Sequence, residues 1–193
     1  MCLKYGQSPT QNLHSTQPLP IIGICAASSK VGKTTLITQL IPALAKRNIR
    51  VSVIKHTHHQ FDIDYPGKDS YKIREAGAAQ TLIASNKRWA LMTELTHNHH
   101  APHEVNQQDE SLEALVRIIN PNYADLILVE GFKSEPIPKI EVYRPSLNMP
   151  LLAALDPSVI AVASDEALSL NIPVLALNDI EQIVDFILVQ KCF

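Results

Sequence analysis

Between a short apolar run and an amphipathic stretch lies Ala27-Ser28-Ser29-Lys30-Val31-Gly32-Lys33-Thr34, and this placement leaves the chain few folds to choose from. Before it, Ile21-Ile22-Gly23-Ile24-Cys25 suits a buried strand. After it, Leu36, Ile37, Leu40, Ile41, Leu44 and Ala45 recur at helical spacing. A strand, a tight loop ending Gly-Lys-Thr, then a helix is the context of a Walker A phosphate-binding loop. The chemistry comes from the backbone. Successive N–H groups curl around a phosphate, and the positive end of the helix adds to the attraction. Lys33 is placed to reach the β- and γ-phosphates, and the Thr34 hydroxyl to ligate magnesium. Ser29, Lys30, Val31, Gly32, Lys33, Thr34 and Thr35 are therefore the candidate nucleotide-binding residues. Ala27 stands where the first glycine of the pattern usually stands, and alanine is small enough to keep the turn.

A chain of 193 residues is long enough for one domain with a real core. Residues 1–17 are polar and rich in Gln, Ser and Thr, which reads as a flexible tail before a single domain over 18–193. The net charge of -2 gives no broad basic surface, so no nucleic-acid partner is expected. No apolar run is long enough to span a bilayer, and no membrane association is expected. Cys2, Cys25 and Cys192 show no CxxC spacing. That suits the reducing cytoplasm, with Cys25 a small core residue.

The remaining pattern alternates strands with helices. A helix is expected from Lys33 to Arg47, with Pro42 kinking it and Asn48 as its C-terminal cap. Strands are expected at Val51–Lys55, Thr81–Ala84, Trp89–Met92, Asp125–Val129, Ile140–Tyr143, Val159–Ala163 and Val174–Leu177. Further helices are expected over Asp69–Ala76 and Asp109–Ile119. A closing helix is expected to start at Asn178, with Glu181 in a capping box. The expected fold is α/β: a three-layer P-loop NTPase domain whose sheet is largely parallel with some antiparallel additions.

The second magnesium-holding group is expected to be Glu130. It ends the apolar strand Leu126-Ile127-Leu128-Val129, at the ligand edge of an open parallel sheet. Gly131 after it allows close backbone approach. Asp125 opens the same strand and belongs at the far edge. Asn86-Lys87-Arg88-Trp89 resembles a guanine-reading NKxD motif only superficially, because Trp89 replaces the aspartate; a hairpin turn is the better reading. Asp165, after the strand Val159–Ala163, has two readings. It can accept hydrogen bonds from guanine N1 and N2, or it can cap a helix.

Beyond these elements, Ile54-Lys55-His56-Thr57-His58-His59, Asp62-Ile63-Asp64, Pro66-Gly67-Lys68-Asp69-Ser70 and Arg74-Glu75-Ala76-Gly77-Ala78 stand beside the phosphate loop. Together with Leu128-Val129-Glu130-Gly131-Phe132-Lys133 and Ala161-Val162-Ala163-Ser164-Asp165, they resemble the MobB-type adaptors of molybdopterin-guanine dinucleotide biosynthesis. The resemblance covers nearly all of Leu19 to Phe186. It implies a SIMIBI-class P-loop protein that binds GTP with Mg2+ and hydrolyses it weakly. It also implies a homodimer that assists a MobA-type guanylyltransferase, which joins GMP to the molybdopterin cofactor. Ser28 takes the place of the second lysine of MinD-like ATPases, and Lys30 stands where many adaptors have glycine.

The segment from His56 to Ser70 follows the second strand, the position of a loop that can order around magnesium and γ-phosphate. Asp62 and Asp64 are candidates to orient water or magnesium. His56, His58 and His59 are candidates to contact a phosphate or a pterin; the alternative is a solvated polar loop. His97, His99, His100 and His103 match no zinc spacing and read as a solvated loop. Competing functions are a stand-alone P-loop kinase or ligase, and a GTPase metallochaperone. No Arg-rich lid supports the first, and no ligand set at metal spacing supports the second.

Overall fold

The structure is a computed structural model that describes residues 18–57, 61–94 and 111–190. His58, His59 and the cluster His97, His99, His100 and His103 lie outside the described residues.

Six strands form one parallel sheet: β1 (Ile21–Cys25), β2 (Val51–Lys55), β5 (Leu126–Glu130), β6 (Lys139–Tyr143), β7 (Val159–Ser164) and β8 (Val174–Ala176). Their order is β2-β5-β1-β6-β7-β8, and every pairing is parallel. The expected antiparallel additions form a separate two-stranded sheet, β3 (Gln80–Ala84) with β4 (Trp89–Thr93). Asn86 and Lys87 make the turn between them, closed by Ser85 N–H donating to the Arg88 carbonyl at 2.8 Å. The hairpin reading of this segment therefore holds.

Helices cover both faces of the parallel sheet, which is why its central strands read as unbroken apolar runs. On one face α1 (Lys33–Lys46) and α4 (Ile180–Gln190) pack Leu36, Leu40, Leu44, Ile183 and Ile187 against Ile22, Ile24, Leu126 and Leu128. On the other, α3 (Leu112–Ile118) packs Leu112, Leu115 and Val116 against Ile127 and Val129. The alternation along β5 sends successive residues to opposite layers. The remaining helix, α2 (Asp69–Glu75), buries none of its residues.

The helix ends refine the expectations. α1 runs unbroken through Pro42, and Asn48 follows it with φ +59, donating its N–H to the Ala45 carbonyl at 3.0 Å. α4 starts at Ile180 rather than Asn178. Asp179 Oδ1 accepts the Gln182 N–H at 3.0 Å, so Asp179 supplies the end-capping oxygen. Glu181 faces outward to Arg47 at 2.8 Å instead of closing a capping box. The charged pair competes better for its carboxylate than a backbone N–H would. Among the described residues no helix is long and apolar enough to cross a membrane.

Candidate functional site

All the parallel strands end on one edge, so residues far apart in sequence meet there. β1 delivers the loop 26–32 at the middle of that edge. Two positions in it have left-handed backbone, Lys30 at φ +64 and Gly32 at φ +119. Gly32 begins α1 and accepts the Leu36 N–H at 2.9 Å, but no side chain caps the helix start. The first N–H groups of α1 are thus left to an incoming anion, the arrangement that binds phosphate. Lys30 shows why glycine suits that position: its backbone adopts a conformation that side-chain-bearing residues take only at a cost. Its side chain is exposed.

Lys33 folds back over the loop, donating from Nζ to the Ser28 carbonyl at 2.8 Å. Burial pushes its ammonium below the ordinary value; Glu130 opposes that, while Lys133 and Lys55 add to it. A lysine so placed gains from a phosphate, which would restore the favourable charge partner.

Thr34 and Glu130 meet across 96 residues of chain. The Thr34 hydroxyl lies 2.9 Å from Glu130 Oε1 and 3.1 Å from Oε2. Two hard oxygen ligands converging beside a phosphate loop fit a divalent cation such as magnesium, which Thr34 and Glu130 would hold. Asp125 is at the opposite end of β5, paired to Arg50 at 2.8 Å, and takes no part.

Gly131, at φ +103, is strained for any side-chain-bearing residue, and a Cβ there would crowd that of His56 at 3.0 Å. The close approach sets His56 against the end of β5. Its N–H donates to the Glu130 carbonyl at 2.9 Å, and its ring packs 4.7 Å from that of Phe132. Asp62 and Asp64 turn elsewhere. Asp62 pairs with Arg74 at 3.0 Å, which holds its carboxyl below the usual range. The buried Asp64 accepts the Tyr65 N–H at 3.0 Å. The Asp62 contact therefore ties this segment to α2, while the His56 N–H ties it to Glu130.

Three cations at this edge had no role in the sequence reading. Lys55 Nζ lies 3.4 Å from Glu130 Oε2, and Lys133 Nζ donates to the Ala27 carbonyl at 2.9 Å. Arg144 Nε donates to the Val31 carbonyl at 3.0 Å, and its guanidinium pairs with Asp165. One rule would have found Lys55 and Arg144, since each ends or directly follows a parallel strand. Asp165 caps no helix, because β7 is followed by a bend and irregular chain. It stands at the rim of a recess of about 460 Å³, lined by Ser164, Leu168, Leu175, Ala176 and Gln182 among others. Arg144 links that recess to the phosphate loop.

Comparison with known proteins now adds to the geometry. A family model described as "Molybdopterin guanine dinucleotide synthesis protein B" matches residues 21–165. The chain belongs to the MobB family. The molybdopterin-guanine dinucleotide biosynthesis adapter protein of Escherichia coli (strain K12) is 47% identical over 170 residues, covering 88% of this chain and 91% of that one. The adapter protein of the same name from Haemophilus influenzae is 45% identical over 169 residues, covering 88% of each chain. A crystal structure of molybdopterin-guanine biosynthesis protein B (mobB) superposes with a TM-score of 0.66 at 27% identity, over 88% of this chain and 99% of that one. The MobB residues of this chain supply a P-loop NTPase fold, and the matched segment runs from β1 to Asp165, taking in the loop 26–32, Glu130 and Arg144 but not β8.

Proposed function

We infer that this chain is an accessory protein in molybdopterin-guanine dinucleotide biosynthesis, binding GTP at the edge of the parallel sheet and acting through a guanylyltransferase. Family membership supports the accessory role. The contact between Thr34 and Glu130 beside the uncapped start of α1 carries the nucleotide reading. Thr34 and Glu130 would hold magnesium, which supplies charge neutralisation between the β- and γ-phosphates. Lys33 adds the tethered positive charge on the same oxygens. Hydrolysis in this reading is slow, because the Asp62 carboxylate is held by Arg74 rather than near Thr34.

The test is calorimetry of GTP with Lys33→Ala. Loss of one charge-assisted contact of about 1.5–3 kcal/mol should weaken binding at least tenfold, and unchanged affinity would refute the assignment.

Guanine selection falls to Asp165, which Arg144 holds at the mouth of the recess. In competition assays Asp165→Ala should lose preference for GTP over ATP. The loop from His56 onward reports the nucleotide to the transferase. Alanine at His56, His58 or Asp64 should leave GTP affinity within about a few-fold while lowering dinucleotide synthesis with a MobA-type enzyme and molybdopterin. A homodimer belongs to the same reading, supported by the apolar face of the hairpin, where Leu82, Trp89 and Leu91 are exposed. A cytoplasmic location belongs to the same reading.

A further inference from the structure

The corner between Thr34 and Glu130 already faces a positive charge from the chain itself. Lys55 ends β2 directly opposite Glu130 of β5 in the parallel register. Its Nζ lies 3.4 Å from Glu130 Oε2 and 3.5 Å from Thr34 Oγ1. Those are the same two side chains whose oxygens fit a divalent ion. An ammonium and a divalent ion on one carboxylate repel strongly when water screens them little, and the Glu130 side chain is only 11% exposed. Lys55 can move aside without a burial cost, because its own side chain is 54% exposed. Its backbone leads directly into His56, which is bonded to the Glu130 carbonyl and packed on Phe132.

We propose that Lys55 is a tethered counter-ion: it holds the Thr34–Glu130 pair in the metal-free protein and is displaced when a divalent ion enters. The proposal rests on the reading of Thr34 and Glu130 as the divalent site. Lys55 then competes with the metal, and its displacement frees the start of the segment that follows β2. This makes Lys55 a positioning residue whose effect appears on metal affinity before it appears on any reaction. Lys133 is the natural control. It brings the same charge to the phosphate loop, but on the Ala27 carbonyl rather than on Glu130.

The experiment is Mn2+ binding to the full chain saturated with GDP, read from the electron paramagnetic resonance of free Mn2+. GDP is used because it offers no γ-phosphate for a lysine to grasp. Lys55→Met should bind Mn2+ roughly tenfold more tightly than the parent, because one close repulsion is removed. Lys55→Arg keeps the charge and should stay near the parent value. Lys133→Met should change the affinity by less than about threefold, since its charge acts from farther away. If Lys55→Met binds Mn2+ no more tightly than the parent, or if Lys133→Met tightens binding equally, the counter-ion role is overturned. Glu130→Gln separates the two levels of the argument. Loss of Mn2+ binding in that variant supports the divalent site whatever Lys55 does, whereas parent-like binding overturns both.

Discussion

Along β5 all five residues are buried, whereas β3 and β4 together bury only Thr81 and Met92. The two regions satisfy their chains in different ways. β5 sends alternate residues into two helical layers, and its last residue meets Thr34. The hairpin has no such cover: Leu82, Trp89 and Leu91 face outward. Among the described residues, the buried atoms Asp64 Oδ2, Arg74 Nε and Thr81 Oγ1 find no hydrogen-bond partner, and all three belong to the region of α2 and the hairpin. The end of β5 is thus satisfied by its own chain. The hairpin region is left incomplete by its own chain, which suits a surface that meets another protein.

Ion pairs sharpen the contrast. In the sheet, Lys139 is buried and uses its ammonium three times: Asp156 at 2.6 Å, the Lys133 carbonyl at 2.7 Å and the Glu135 carbonyl at 2.8 Å. It pins the loop after β5 to the start of β6, and so holds Lys133 near the phosphate loop. Asp156→Ala would leave that buried charge without its carboxylate. It should destabilise the fold by about 3–5 kcal/mol in urea unfolding. The corresponding change in the other region, Asp62→Asn, should move the same midpoint less, because the Asp62 side chain is half exposed and Arg74 keeps its second carboxylate, Glu94. Equal effects would erase the distinction between the regions.

Core truncation comes next in size. Leu128→Ala removes a side chain with no exposure and should cost about 2–5 kcal/mol.

A pH series separates two acids of the sheet region. Lys139 holds the Asp156 carboxyl below its ordinary 3.8. Its stabilisation is therefore full above pH 3.8 and is lost as the pH falls through the folded value. Burial pushes the Glu141 carboxyl above its ordinary 4.5, although it accepts the Leu152 and Ala153 N–H groups. For this acid the folded state binds the proton more tightly. Its contribution to stability grows as the pH falls through the folded value towards 4.5. Unfolding midpoints across this range should lose the acid-side gain in Glu141→Gln and the acid-side loss in Asp156→Asn. A parent-like profile in both would remove these groups from the account.

The smallest effect on stability is expected at the hairpin, where Leu82→Ser should change it by no more than about 0.5 kcal/mol. The same variant should shift the proposed homodimer towards monomer in sedimentation, which separates an interface residue from a core one. A variant that unfolds the chain without changing its assembly would reverse the roles given to the two regions.

Much of the fold was legible because its signals are local. The apolar run before Ala27, the helical spacing after Thr34 and the acidic end of Leu126–Glu130 each lie within a few residues, and each formed the element expected of it. Errors fell where two local options differ by little energy. Asn178 and Asp179 are both good helix caps, and only the closing of β8 onto α4 chose Asp179, with Gln182 Oε1 accepting the Ala176 N–H at 2.7 Å. Lys139 went unnoticed because a charged residue at a strand start reads as exposed; its burial depends on Asp156 and on two carbonyls of the preceding loop.

By itself, the amino-acid sequence determined the strand, loop and helix around Gly32-Lys33-Thr34, the order of strands and helices along the chain, and the acid that faces Thr34. These follow from periodicity and from side-chain chemistry within single elements. Only the tertiary structure decided that Lys55, Lys133 and Arg144 share the edge with them. The physical reason is register. Parallel strands from distant parts of the chain end side by side, so Lys55 reaches Glu130 only because β2 pairs with β5. Likewise Arg144 reaches the Val31 carbonyl and Asp165 only because β6 lies between β1 and β7.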